Sequence, residues 1–259
     1  MKEKLGDISV ATSGPVAIIE INRPPNNHVS TVLVRDLADA LARIDLDPDI
    51  RCSVLQTEGK IFCAGADLAG ADDPTQLGVE GTRQLYAEAV RLFSAIKPIV
   101  ALVQGAAVGA GLGLALVADF RIAAPEARFA ANFVKLGFHP GFGITHALPR
   151  LVGNQRALMM CLTGRRIKAE QALEWQLVDE IVPLAQLREA GLKLAGEVAE
   201  NAPLAVMSTR ATLRGALAAA VKAQSDLESI EQAKLRNTDD FTEGVRAVRE
   251  RRAGHFSGR

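Results

Sequence analysis

The sequence predicts an α/β fold of repeated strand–strand–helix turns, followed by a wholly helical C-terminal region. Three observations carry this. Short β-branched runs at 16–22 and 99–103 alternate with segments whose apolar residues recur at helical spacing. Two glycine-containing loops each follow a buried strand and lead into helix-like sequence. From about Leu187 the strand signals stop, and Pro203 starts a fresh helix.

Taken in order, VAIIEIN at 16–22 is a strand ended by Arg23-Pro24-Pro25. Ser30 suits the N-cap of a helix carrying Leu33, Leu37, Leu41 and Ile44 near one face, closed by Asp47-Pro48. A strand at 52–56 leads through Glu58-Gly59-Lys60 to the loop Phe62-Cys63-Ala64-Gly65-Ala66-Asp67. The polar stretch 69–81 is expected to be mobile, with a helix then running to about Ile96. A buried strand at 99–103 precedes a helix opened by Gly109 and packed through its small residues. Short strands are expected at 120–123 and 128–130. The loop 137–143 is too rich in Gly and Pro for regular structure. Helices follow at 145–152, 154–162 and 168–175, then a strand at 178–182. This plan suggests stacked ββα turns in place of a doubly wound sheet. With no linker visible, residues 1–186 form one core and 187–259 a helical C-terminal subdomain suited to oligomerisation.

Composition narrows the function. Lys plus Arg is 30 and Asp plus Glu is 30, so the net charge is 0 and neither nucleic acid nor an anionic membrane is an expected partner. Aromatic residues are 4%, too few for base-stacking platforms. Cys52, Cys63 and Cys161 form no CxxC or Cys/His cluster, so neither a disulfide framework nor a metal site is expected. The stretch 99–118 has the length of a membrane span, with Gln104 its one polar residue. Its four glycines and the flanking Lys97 and Asp119 favour a buried strand–loop–helix. The charged start MKEKLGDISV lacks an apolar h-region, and a cytoplasmic protein is expected.

The glycines admit three readings. As tight turns they let helices pack closely on the sheet. Alternatively, N–H groups near Ala66 and Ala110 converge on a negative oxygen, since helix N-termini favour anions. A dinucleotide site is the third, but GxGxxG would need glycine at 114, where Leu114 stands. Spacing leaves the first two open.

The chain resembles the crotonase superfamily, which includes the enoyl-CoA hydratases and isomerases. Ile21-Asn22-Arg23-Pro24, Phe62-Cys63-Ala64-Gly65-Ala66-Asp67-Leu68 and Lys97-Pro98-Ile99-Val100-Ala101 carry the likeness. Gln104 to Gly111, Ala118-Asp119, Leu148 to Gly153, Leu162-Thr163-Gly164 and Phe241-Thr242-Glu243-Gly244 with Arg251-Arg252 continue it in family order. The resemblance implies a spiral of ββα turns, an acyl-CoA ligand, and assembly as a homotrimer or dimer of trimers. It implies that the N–H groups of Ala66 and Ala110 hold the thioester oxygen as it becomes an enolate. It also implies that Ala64, Ala66, Asp67, Leu68 and Gly109 bind the substrate, the 64–68 loop receiving the adenine end of CoA. No separate cofactor is implied, because CoA enters with the substrate.

Aligned on these motifs, the two glutamates of the family's hydratases fall on Gly113 and Phe133, and an aspartate of other members falls on Gly141. None of the three can transfer a proton, so hydration is not the expected strength of this chain. His139, in the loop bordering the acyl pocket, is the candidate base, the other reading being a loop-fixing hydrogen bond. His146 has the same two readings, with a helix cap favoured. Asp67 reads as a loop-fixing carboxylate, and Tyr86 and Glu88 as a solvated helix face that can also meet the pocket. His28 is assigned no role, and Cys63 reads as a small buried residue. Arg246, Arg249, Arg251 and Arg252 are either a solvated basic face or contacts to CoA phosphates from a neighbouring subunit. Two functions remain: an enzyme acting on an enolisable CoA thioester, as hydratase, isomerase or relative, or a protein of this fold that binds acyl-CoA or a partner without turnover.

Overall fold

The computed structural model describes residues 3–66 and 78–259, and in it the β-branched runs pair into two sheets. The larger sheet starts as an antiparallel meander of β1 (Glu3–Leu5), β2 (Ile8–Ser13) and β3 (Val16–Ile21). It continues in parallel through β4 (Cys52–Thr57), β5 (Ile99–Val103), β7 (Phe120–Ala123) and β10 (Glu180–Ile181). The smaller sheet holds β6 (Ala106–Val108) parallel to β8 (Arg128–Ala130), with β9 (Ile167–Lys168) antiparallel on its edge. The helices are α1 (Thr31–Leu46), α2 (Gly78–Phe93), α3 (Ala110–Val117), α4 (Ile144–Val152), α5 (Asn154–Thr163), α6 (Ala169–Glu174), α7 (Leu187–Ala199), α8 (Pro203–Arg214), α9 (Leu217–Leu235) and α10 (Asp239–Arg249).

The parallel strands enter the larger sheet in chain order, with no reversal of the kind that makes the switch point of a doubly wound fold. From β5 the chain passes to β6 in the smaller sheet, then to α3, and returns at β7 before visiting β8. That is the expected ββα spiral. Helix α1 is capped by Ser30, whose Oγ accepts from Leu33 N–H at 3.2 Å. It buries Leu33, Leu37, Leu41 and Ile44 in the main core, while Val54, Val100 and Ile122 on the other face of the sheet cluster with Leu187, Ala195 and Ala199 of α7. Both faces are thus covered, which is why β4 and β5 are buried along their whole length.

The 99–118 stretch resolves into β5, β6 and α3, and no helix among the described residues is long and apolar enough to cross a membrane. Three expectations need correction. Helix α2 ends at Phe93 and not at Ile96, because the Asp45 carboxylate takes the N–H groups of Ile96 (2.9 Å) and Lys97 (3.0 Å) and turns the chain toward β5. The strand expected at 178–182 shrinks to Glu180–Ile181, because Leu177 and Val178 both donate to the Ala172 carbonyl in the turn that ends α6. That helix itself spans only Ala169–Glu174. The strands β1, β2 and β9 and a 3₁₀ turn at Phe133–Leu136 gave no readable signal. Residues 69–77 of the stretch expected to be mobile lie outside the described residues, and the rest of it opens α2.

Asp119, immediately before β7, joins the C-terminal helices to this core. Its carboxylate accepts from Ile99 N–H (2.9 Å), Arg210 Nε (2.9 Å) and Arg214 Nη1 (2.8 Å), both arginines being on α8. All three side chains are largely buried. Asp119→Ala would leave two guanidinium groups without their counter-ion, and breaking a buried pair of this kind costs about 3–5 kcal/mol. Urea unfolding followed by circular dichroism should show a loss of that size.

Candidate functional site

The two glycine-containing loops meet edge to edge. Cys63 N–H donates to the Ala106 carbonyl (2.9 Å), and Val108 N–H donates back to the Cys63 carbonyl (3.0 Å). On the other side, Ala64 N–H donates to the Asn26 carbonyl (3.0 Å) and Val29 N–H to that of Gly65 (2.9 Å). The loop therefore runs as a short strand between 26–29 and 106–108, with isolated bridges pairing Cys63 with Ala107 and Val29 with Ala66. Such close approach needs small residues. A Cβ on Gly65 would lie 2.7 Å from the Val108 carbonyl oxygen and 3.6 Å from Ala110 N, and one on Gly111 only 2.2 Å from the Cys63 carbonyl oxygen. Gly65 and Gly109 also hold φ values of +89° and +56°, which L side chains rarely adopt.

The consequence is a pair of donors. Ala110 is the first residue of α3, where an N–H has no intrahelical acceptor. Among the described residues neither its N–H nor that of Ala66 finds an acceptor. Both alanines line the same cavity, of about 430 Å³, together with Ala64 and Gly109. Two backbone donors beside a helix N-terminus suit an oxygen that gains negative charge.

The rest of the wall is mostly apolar: Leu85, Val108, Phe133, Leu136, Phe138, Phe142 and Phe241. It carries Arg236, Arg249 and Arg251 and, among the described residues, no carboxylate. The places where the motif alignment puts acids are filled. A Cβ on Gly113 would meet the Phe142 ring at 2.6 Å. Phe133 is itself wall. A Cβ on Gly141 would sit 1.8 Å from the Tyr86 hydroxyl.

Of the other candidates, Asp67 and Leu68 lie outside the described residues. His139 is not on the cavity wall; its Nδ1 lies 2.7 Å from the Pro140 carbonyl and its own carbonyl accepts from Gln232 Nε2, so the loop-fixing role has the geometric support. His146 is also away from the wall, and burial, aided by Arg150, pushes its pKa down. Glu88 faces outward to Arg35 and Arg91, whereas Tyr86 is buried and on the wall. The Cys63 thiol is fully buried, and burial pushes its pKa up to about 12, which removes it as a nucleophile. Arg249 and Arg251 reach the wall, while Arg246 and Arg252 turn to Glu243.

Sequence reasoning missed three wall residues. His28, assigned nothing, lines the cavity with Nδ1 3.2 Å from the Gly65 carbonyl. Gln232 and Arg236 come from α9, far along the chain, and no local motif marks them. The cation of Arg236 stacks over Phe138 (5.3 Å) and Phe241 (5.9 Å) and donates to Thr82 Oγ1 at 3.0 Å.

Comparison with known proteins agrees with this architecture. The family model described as enoyl-CoA hydratase/isomerase matches residues 11–259. The chain is 35% identical over 259 residues to (E)-benzylidenesuccinyl-CoA hydratase of Thauera aromatica, covering 97% of this chain and 99% of that protein. It is 34% identical over 250 residues to 1,2-epoxyphenylacetyl-CoA isomerase of Escherichia coli K12, covering 94% and 95%. A solved enoyl-CoA hydratase/isomerase from Pseudoalteromonas atlantica T6c superposes with a TM-score of 0.88 at 33% identity, covering 97% of this chain and all of that one. With a match from near the N-terminus to the last residue and the same spiral underneath it, the chain belongs to the enoyl-CoA hydratase/isomerase family of the crotonase superfamily.

Proposed function

We propose that this protein binds an acyl-CoA and stabilises the enolate of its thioester between the N–H groups of Ala66 and Ala110. The observation that carries the proposal is the pair of donors, free of acceptors among the described residues and facing one cavity. A ground-state thioester oxygen is a modest acceptor and an enolate oxygen a strong one, so the same two bonds strengthen as charge develops. Arg249 and Arg251 on the wall suit the phosphates of CoA, and no separate cofactor enters the proposal.

The reaction beyond the enolate follows from what the wall lacks. Two relatives act on CoA thioesters by different chemistry, one named a hydratase and the other an isomerase. Hydration needs a positioned group to orient water and move its proton, and positioned acid–base groups contribute about 10²–10⁴-fold in rate. With Phe133 on the wall and Phe142 filling the space beside Gly113, the cavity is dry where such groups would stand. We therefore favour enolate chemistry such as double-bond migration over addition of water, with His28, the imidazole on the wall among the described residues, taking the proton and returning it. The missing carboxylate also favours a second reading, a binder of acyl-CoA without turnover.

Isothermal titration with butyryl-CoA should give saturable binding, and its absence would overturn the acyl-CoA assignment. Crotonyl-CoA hydration should fall below a kcat/KM of about 10⁴ M⁻¹s⁻¹, the low end for working enzymes; a faster rate would refute the dry-wall proposal. Ala110→Pro is the sharper probe of the donors. Proline is tolerated at the first position of a helix and deletes the N–H, so the fold should persist while any enolate-forming turnover drops about 10²–10³-fold.

The trimeric assembly is part of the same proposal. Helix α8 buries no apolar residue fully in the isolated chain, and Leu204 and Leu213 stand 77% and 76% exposed. A second copy of this chain is the occupant we assign to that face. Sedimentation of the wild type should give a trimer or its dimer, and Leu204→Asp with Leu213→Asp a smaller species. A monomeric wild type would remove the proposal.

A further inference from the structure

The N–H of Ala66 belongs to the Gly65–Ala66 peptide unit, and the carbonyl of that unit points the opposite way. Two donors are aimed at this carbonyl: Val29 N–H at 2.9 Å and His28 Nδ1 at 3.2 Å. A carbonyl oxygen has two lone pairs, so both bonds are made at once. Because it can only accept, the ring carries a proton on Nδ1, which leaves the lone pair of the neutral imidazole on Nε2. One side chain of the cavity wall is thus bonded to the far end of the peptide whose near end is an oxyanion donor.

The turn that carries His28 is firmly built. Asn27 is fully buried, donates to the carbonyls of Glu58 (2.8 Å) and Ile61 (2.7 Å), and accepts from Arg23 N–H at 3.0 Å. Arg23 Nη1 donates to the His28 carbonyl at 2.9 Å. The charged side chains that share the wall with the ring are Arg236, Arg249 and Arg251, and among the described residues no carboxylate does. An imidazolium formed at His28 therefore has no anion on that wall to turn to, and its Nδ1–H stays on the Gly65 carbonyl.

We infer that His28 strengthens the oxyanion donor at Ala66 through the Gly65–Ala66 peptide, its Nδ1–H polarising the carbonyl and thereby the N–H of the same unit. The inference rests on the enolate reading above and gives the ring a second role, distinct from carrying the proton. When Nε2 takes the Cα proton, the electron pair of the C–H bond enters the enolate. Negative charge then settles on the thioester oxygen and positive charge on the imidazole. At that moment the Nδ1–H bond becomes charge-assisted, and such bonds are roughly twice as strong as neutral ones. Hydrogen bonds in a chain polarise one another by roughly 10–30% per bond. The Ala66 donor thus gains strength in step with the charge it holds, whereas Ala110 draws on the N-terminus of α3.

The probe is acetoacetyl-CoA, whose enolate has its own ultraviolet absorption band, bound at saturation and neutral pH to the wild type, His28→Asn and His28→Leu. Asparagine places an amide N–H where Nδ1 stands but takes no proton, and leucine removes both. The ratio of enolate to keto form should be about two- to eightfold higher in His28→Asn than in His28→Leu, the size of a 10–30% gain in one oxyanion donor. The wild type should exceed His28→Asn by at least that factor again, because its donor becomes charged. Calorimetric affinity for butyryl-CoA should stay within about twofold across the three, since a neutral thioester oxygen draws little on the donor. His28→Ala replaces the leucine variant if that one does not fold. Equal ratios in the asparagine and leucine variants, or a parallel loss of butyryl-CoA affinity, overturn this inference and leave the enolate reading standing. A wild type no better than His28→Asn overturns the part played by the charge. A wild type that binds acetoacetyl-CoA without enriching the enolate, or binds no thioester, overturns both readings.

Discussion

The site depends on one interaction: the backbone pairing of loop 62–66 with residues 106–108. Cys63 makes both of its main-chain bonds there, and Ala64 and Gly65 make theirs to 26–29, so the loop is held on two edges like a strand inside a sheet. That pairing sets where the Ala66 and Ala110 N–H groups stand relative to each other. No side chain takes part in it. Its sequence requirement is negative, namely that nothing larger than hydrogen occupy Gly65, Gly105 or Gly111, where a Cβ would strike backbone at 2.7, 1.9 and 2.2 Å. Alanine is tolerated at the donor positions because the donors are main-chain atoms.

Around these fixed donors the wall is mostly hydrocarbon. Phe142 shows the constraint most clearly. It is fully buried with φ +64°, a conformation that costs a bulky residue about 1–2 kcal/mol. Burying a phenylalanine side chain returns about 1.5–3 kcal/mol, which covers that strain. Its ring lies in the space a side chain at 113 would need. The glycine and the strained phenylalanine are thus one packing solution, and a carboxylate at 113 would have to displace the ring as well as be introduced. The loop carrying Phe142 is tied down from behind by buried Glu228, which accepts from the N–H groups of Gly143 (2.7 Å) and Thr145 (3.0 Å).

The legible parts of the molecule were those written in local chemistry. Ser30 announced its helix, the β-branched runs announced β3, β4 and β5, and the small residues of 62–66 and 105–113 announced close backbone approach. The illegible parts depend on partners far along the chain. MKEKLGDISV carries too many charges to read as strands, yet β1 and β2 form because β3 offers them an edge. Tyr86 meets Gln232 from 146 residues away, and Phe142 meets Gly113 across a loop, so neither neighbour could be inferred from spacing. His139 stands out by residue type and by a loop that the resemblance puts beside the acyl pocket. Its ring is turned to Pro140, a rotation that nothing in GFHPGFG encodes.

Magnitudes explain why family membership fixes the electrophile more firmly than the reaction. Each backbone donor of the kind offered by Ala66 and Ala110 is worth about 2.7–4 kcal/mol at a developing oxyanion. A positioned acid or base contributes 10²–10⁴-fold, about 2.7–5.5 kcal/mol, which is of the same order. The two contributions differ in how sequence change reaches them. The donors are lost only if the main-chain pairing of Cys63 breaks, which endangers the fold, whereas an acid or base is lost by one substitution that leaves the core intact. Gly113, Phe133 and Gly141 are compatible with an intact spiral and an intact donor pair. On the function proposed above, a chain in this state polarises a thioester without being committed to one fate for the enolate. Of the polar side chains on the wall, the Tyr86 phenol keeps its proton and the Gln232 amide has none to exchange, which leaves the His28 imidazole as the group there suited to acid–base work.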